Sequence, residues 1–226
     1  MSPKFIVTPK FVVTIDGPAA AGKGTVTRGV ARELGIFYLD TGAMYRAAAL
    51  GALRSNTGLE ETDKLSELLS EMKITFNAES VIFLSGEDIS AEIRKPRMAR
   101  HASDIAKIPI VRELMKSRQQ EIAAEHGAIV AEGRDMGTNV FPGAEYKFYL
   151  LASIDERARR RWRELVEQGS QIELEDVKNL MALRDEQDST RDISPLHPAP
   201  DAVIINTTAI PASDVVQTIV ETVMGA

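Results

Sequence analysis

The densest chemistry in the chain lies in nine consecutive residues, Gly17-Pro18-Ala19-Ala20-Ala21-Gly22-Lys23-Gly24-Thr25. The spacing G-x-x-x-x-G-K sets successive backbone N–H groups around an anion at the start of a helix, where the peptide dipoles also favour negative charge. Lys23 is spaced to reach the terminal phosphates, so the whole run reads as a binding site for a nucleoside triphosphate. Ser or Thr usually follows the lysine directly and offers its hydroxyl to Mg²⁺. Here Gly24 intervenes and Thr25 comes next. A switch GTPase would also need a base-reading N-K-x-D, and the sequence has none.

Two further groups follow predicted strands. In Asp40-Thr41-Gly42-Ala43-Met44-Tyr45-Arg46, Thr41 and Tyr45 are four apart and share one helix face, with Arg46 beside them. Asp40 then stands at the carboxyl end of a strand, where open α/β sheets place ligands. A plain alternative is that Asp40 and Thr41 only cap the helix. In Glu132-Gly133-Arg134-Asp135, Arg134 suits a phosphate and Asp135 an amino group; the alternative is a surface ion pair. Five arginines between Arg157 and Arg163 make either a solvated helix face or a lid that closes over phosphates. Arg184, Asp188 and Arg191 fall at i, i+4 and i+7, predicting one helical stripe that pairs internally, holds substrate, or does both.

The elements that must carry these groups are legible from apolar patterning. Phe11–Ile15 predicts a buried strand, Lys23–Leu34 a helix stopped by Gly35, and Ile36–Leu39 a second strand. That order at that spacing points to a βαβ unit and a parallel sheet. Ala128–Ala131, Tyr146–Leu151 and Ala202–Ile205 supply three more strands, and the last helix, Ala212–Met224, has its valines and Ile219 on one stripe. The middle differs. Lys73–Phe76 and Val81–Leu84 predict a hairpin across the polar turn 77–80, and Asp88–Arg94 a third strand. Residues 65–104 therefore read as an insertion in a core formed by 1–64 and 105–226.

Composition excludes several function classes. The 226 residues carry 27 Lys+Arg and 33 Asp+Glu, a net charge of −6, which argues against coating nucleic acid. There is no cysteine for disulfides, thiolate metal sites or thiol nucleophiles. The three histidines are scattered without ligand spacing. Met1–Phe11 holds lysines but no long apolar run, and no window is apolar enough for a membrane span, so the cytoplasm is the expected location.

Taken together, D-T-G-A-M-Y-R, G-R-D-M-G-T followed by Val140-Phe141-Pro142, and R-D-x-x-D-S-x-R-x-x-x-P-L resemble the bacterial-type cytidylate kinases over essentially the whole chain. The G-K-G-T form of the loop likewise resembles nucleoside monophosphate (NMP) kinases. The resemblance implies a P-loop α/β kinase with a parallel five-stranded sheet flanked by helices. It adds an enlarged NMP-binding insertion with a small antiparallel sheet, and an Arg-rich lid at about 155–170. It implies transfer of the γ-phosphoryl of ATP to CMP or dCMP with Mg²⁺, within pyrimidine nucleotide metabolism, by an expected monomer whose partners are these small molecules.

Residue by residue, the resemblance places ATP on Gly17–Thr25 and Arg157. It places the acceptor on Thr41, Tyr45, Arg46, Ser103, Arg112, Arg134, Asp135, Arg184, Asp188 and Arg191. Lys23, Arg157, Arg161 and Arg191 are the expected catalytic cations, and Thr25 or Asp40 would touch the metal only through bound water. Cytosine offers an N4 amino donor with N3 and O2 acceptors, so a carboxylate and an arginine complement it. Uracil would turn its O4 acceptor toward Asp135, a mismatch of about 1–3 kcal/mol. UMP, AMP or shikimate as acceptor, and a non-catalytic nucleotide-binding module, are the competing readings. The loop departs from the commonest pattern at Ala19 and Ala20, where Ser and Gly are frequent. Ala20 must keep φ below zero or accept strain.

Overall fold

The computed structural model describes residues 11–77 and 79–225. Met1–Lys10, where no targeting segment is expected, Ala78 within the expected 77–80 turn, and Ala226 lie outside them. The backbone divides into two compact units, one of 39–128 and one of 11–38 with 129–225.

The second unit is built on a five-stranded sheet of order β2-β6-β1-β7-β8. Its strands are β1 (Phe11–Asp16), β2 (Phe37–Asp40), β6 (Ala128–Glu132), β7 (Tyr146–Leu151) and β8 (Val203–Asn206). β1 pairs with β7 in parallel, and β7 with β8 likewise. Near-continuous apolar runs such as Val12-Val13 and Phe148 to Leu150 suit a central parallel strand buried on both faces. Helices α1 (Lys23–Leu34) and α8 (Ala212–Met224) pack on each other. Their core joins Val26, Val30, Val215 and Ile219 to Val13, Ile15, Phe148 and Leu150, with Val216, Val220 and Val223 packed against it. The stripe expected on the last helix is therefore its core face. Gly35 ends α1 in the left-handed conformation at φ 63°. On the same unit α6 (Ile154–Glu167) packs with α7 (Leu174–Thr190) around Ala158, Leu165, Val177 and Met181.

The first unit takes in more chain than the 65–104 segment. It begins at the end of β2 and holds α2 (Thr41–Arg54), α3 (Thr62–Glu71), α4 (Pro96–Ile105) and α5 (Pro109–His126). It also holds an antiparallel sheet of β3 (Ile74–Phe76), β4 (Ile82–Leu84) and β5 (Glu87–Asp88). The hairpin registers Ile74 with Leu84 and Phe76 with Ile82.

The expected third strand, Asp88–Arg94, is corrected by the structure: only Glu87–Asp88 is strand, and Glu92–Arg94 is a 3₁₀ turn. Asp88 is the cause. Its carboxylate accepts the Ser90 N–H at 2.8 Å, offering the backbone a turn instead of a ladder. The Ile93 N–H then bonds the Ile89 carbonyl at 3.0 Å, and both isoleucines are buried one turn apart.

At the end of β1 the chain passes very close to β7. Gly17 has φ 144°, and a Cβ there would stand 2.0 Å from the Leu150 carbonyl oxygen. That oxygen belongs to a paired strand and has nowhere to go. Gly17→Ala is expected to cost about 3 kcal/mol or more, lowering Tm in thermal denaturation by roughly 6–12 °C. An unchanged Tm would contradict this approach of β1 to β7.

Candidate active site

The nine-residue run forms a loop between β1 and α1, as its pattern predicts. Gly22 at φ 93° caps α1, and the first N–H groups of the helix, from Lys23 onward, have no partner within it. Lys23 is buried, and its Nζ donates to the carbonyls of Gly17 at 2.8 Å and Pro18 at 2.7 Å, closing the loop on itself. Burial, helped by the charge of Arg134, pulls its pKa well below the usual lysine range; Glu132 and Asp16 oppose this and favour the charged form. Glu132 is in turn held by the Tyr38 hydroxyl, and Arg28 lies over the Tyr38 ring at 5.9 Å.

Ala20 accepts the strain that its position poses, at φ 57°. Its methyl packs, with Ala19, against the Ala158–Leu165–Val177–Met181 cluster that also includes Trp162. The left-handed conformation costs about 1–2 kcal/mol, and burying a methyl returns at most about 0.8 kcal/mol, so the half-buried side chain offsets part of its own strain.

Within the same unit, Gly133–Asp135 leaves β6 and enters a π-helical turn, Met136–Val140. Arg134 Nε donates to Asp188 Oδ2 at 3.0 Å. Burial pushes the Asp188 carboxyl up, but Arg134, Arg184 and Arg191 together hold it below the usual range. Asp135 is 3 % exposed; Asn139 Nδ2 donates to its Oδ2 at 3.1 Å, and Arg191 Nη2 lies 3.6 Å from its Oδ1. The helical stripe expected for Arg184, Asp188 and Arg191 needs correction at its end. Arg191 has ψ 142° and lies beyond α7. The Leu196 N–H returns to the Asp188 carbonyl at 2.7 Å, and Arg191 Nε donates to the Ser194 carbonyl at 2.5 Å. The turn, not helical spacing, brings Arg191 to Asp135.

The arginine run on α6 divides. Arg157 is buried; it donates to the carbonyls of Ala152 at 2.9 Å and Ala19 at 3.4 Å, and pairs with Asp185 at 2.6 Å. It thus reaches the phosphate loop. Arg160 donates to the Thr207 carbonyl at 2.6 Å, and the Thr207 hydroxyl to the Ala21 carbonyl at 2.9 Å. These residues border a cleft of about 270 Å³ beside the loop, shared with Val26, Ile210 and Pro211. Arg161 pairs with Glu164 at 2.9 Å.

In the first unit, Asp40 takes the expected capping role and also pairs with Arg46. Oδ1 caps α2 by accepting the Ala43 N–H at 2.7 Å, and Oδ2 lies 3.3 Å from Arg46 Nη2. Thr41 is buried at the start of that helix. Arg112 on α5 is 3 % exposed; it donates to the Ala106 carbonyl at 3.3 Å and lies over the Tyr45 ring at 5.8 Å. Ser103 sits on α4, which packs on α2. The ten expected acceptor residues therefore fall five to each unit: Thr41, Tyr45, Arg46, Ser103 and Arg112 in one, Arg134, Asp135, Arg184, Asp188 and Arg191 in the other.

Comparison with known proteins settles the family. The cytidylate kinase family model matches residues 13–224. The chain belongs to the cytidylate kinase family. It is 46 % identical over 211 residues to the cytidylate kinase of Streptococcus pneumoniae, covering 92 % of this chain and 94 % of that one. It is 44 % identical over 216 residues to the cytidylate kinase of Bacillus anthracis, covering 94 % and 96 %. A crystal structure of an uncharacterized protein from Eubacterium ventriosum shares the fold, with a TM-score of 0.50 at 12 % identity over 96 % of this chain and 99 % of that one. Membership in this family makes the chain an ATP-dependent phosphotransferase.

Sequence reasoning assigned no role to Asp16, Glu132 or Thr207, and read Arg160 only as one of the run of arginines that either faces solvent or closes over phosphates. Asp16 and Glu132 had a readable signal, an acidic residue ending an apolar strand at the sheet's ligand edge. Thr207 had none, because only the β7–β8 pairing brings it to the loop. The balance at Ala20 is testable by Ala20→Gly. Relief of strain should outweigh loss of the methyl by about 1 kcal/mol or less, raising Tm by no more than about 4 °C. A rise of about 5 °C or more would show that the methyl contact contributes nothing.

Proposed function

We propose that the chain transfers the γ-phosphoryl group of ATP to CMP or dCMP, with the roles of individual residues as follows. The observation that carries this reading is the presence in one unit of a phosphate loop, the half-buried Arg134 and the buried Asp135. Lys23 exchanges its Gly17 and Pro18 carbonyls for oxygens of the bound triphosphate, and the N-terminus of α1 adds its dipole. The cleft beside Thr207 and Arg160 accommodates the base of ATP. Arg157, Arg161 and Arg191 spread their charge over the transferring group, and the 155–170 segment acts as the lid that excludes water.

On the acceptor side, Arg46 and Arg134 hold the monophosphate. Thr41, Ser103, Arg112 and Asp135 surround the cytosine, and Tyr45, Arg184 and Asp188 the sugar. The 65–104 segment serves the acceptor. CMP already carries a phosphate anion as nucleophile, so positioning and charge stabilisation carry the chemistry without a strong general base.

Mg²⁺ fits the donor set in one manner. Among the described residues no group of three or more His, Asp or Glu forms a cage. Thr25 is exposed at the loop's end, and both Asp40 oxygens already have partners. An ion held chiefly by phosphates and water, with Thr25 or Asp40 reached through that water, suits these residues. When bound, Mg²⁺ neutralises charge on the phosphates. The chain acts as a monomer on these small molecules. No helix among the described residues is long and apolar enough to cross a membrane.

Asp135→Asn tests the base-reading role. The ratio of kcat/KM for CMP over UMP should fall by about tenfold or more, because an amide no longer selects a donor at the base. A constant ratio would remove Asp135 from base recognition.

A further inference from the structure

Asp16 joins the two halves of this chemistry within one unit. It is the last residue of β1, 4 % exposed, and the chain runs directly from it into Gly17. Its Oδ1 accepts the Met136 N–H at 2.9 Å and its Oδ2 the Gly137 N–H at 2.8 Å. One residue earlier, the Ile15 carbonyl accepts the Gly133 N–H at 3.2 Å. These bonds pin the chain on both sides of Arg134 and Asp135. The anchored backbone has little room to shift, since a Cβ at Gly137 would meet Thr14 Oγ1 at 3.0 Å and Lys147 Cδ at 3.2 Å.

Holding a carboxylate here is costly. Burial raises its pKa to about 6, although both amides favour the charged form; Asp135 adds to the rise and Lys23 opposes it. An asparagine would fill the same space without charge. It has one acceptor oxygen, however, and its NH₂ would face an N–H donor. Two oxygens for two amides is what the carboxylate alone provides.

We propose that Asp16 is a positioning residue for acceptor recognition, its two oxygens fixing the 133–137 loop so that Arg134 and Asp135 are held ready for the monophosphate and the base. This rests on the reading of Arg134 and Asp135 given above. The titratable groups facing Asp16 are Lys23 on α1, Asp135 on the loop and Tyr149 on β7, whose hydroxyl pKa is raised by burial and then by Asp16 itself. As the pH falls through about 6, the Asp16 carboxyl takes a proton and comes to resemble an asparagine.

The test measures KM and kcat for CMP and for ATP with the wild type, Asp16→Asn and Asp135→Asn. At about pH 8, Asp16→Asn should raise the KM for CMP about tenfold while the KM for ATP stays within about twofold. The ratio of the two CMP values should shrink toward one near pH 5, where the wild-type carboxyl is itself protonated. Ionisation of CMP cancels in that ratio. A ratio independent of pH, or KM values for CMP and ATP that rise together, overturns the proposal. If Asp135→Asn is also without effect on CMP, the reading of the loop fails first; if only Asp16→Asn is silent, the positioning role alone fails. Should Asp16→Asn not fold, the wild-type amide proton shifts of Met136 and Gly137 decide. Both should move with a midpoint near 6, and shifts that do not move overturn the proposal.

Discussion

β1 ends against β7 with no space for a side chain, and the chemistry of the larger unit is organised around that end. Gly17 passes the Leu150 carbonyl so closely that only glycine fits, which fixes where the phosphate loop begins. The residue before it, Asp16, binds the loop that follows β6. A single strand end therefore sets both a donor loop and Arg134–Asp135. Neighbouring parallel strands make this possible, because their carboxyl ends lie along one edge of the sheet.

Charge is distributed to match. The chain is acidic as a whole, yet Lys23, Arg134, Arg157, Arg184 and Arg191 all belong to one unit. The cations of that group are held by specific partners: Arg134 by Asp188, Arg157 by Asp185, Arg191 near Asp135. Such pairs have modest net energies but fix the direction of a guanidinium, which is what phosphate binding requires. The same carboxylates keep the cluster from repelling itself.

Much of this was legible in the sequence where a local rule governs. The phosphate loop, the bounds of α1 and α8, and the five strands follow from periodicity and glycine stops, and α1 runs over the expected Lys23–Leu34. Local rules failed where a side chain competes with the backbone or a distant element intervenes. Asp88 diverted a strand into a turn by binding Ser90. Arg191 left its helix because the chain folds back from Leu196 to Asp188. The strain at Ala20 was foreseeable; the packing that offsets part of it was not, since Ala158, Val177 and Met181 are far away in sequence. Asp16 shows in the sequence as an acidic residue ending an apolar strand, but what it binds does not, for a similar reason. Its partners are backbone amides some 120 residues on, and backbone amides have no sequence signature.

Selective transfer of phosphate from ATP to a cytosine monophosphate is the activity these residues are proposed to serve. It is tested most directly by following transfer from γ-labelled ATP to CMP, dCMP, UMP, AMP and shikimate side by side. The account predicts labelled CDP and dCDP, with kcat/KM for CMP at least about tenfold above that for UMP. Equal transfer to UMP, or ATP binding with no transfer to any acceptor, would contradict it.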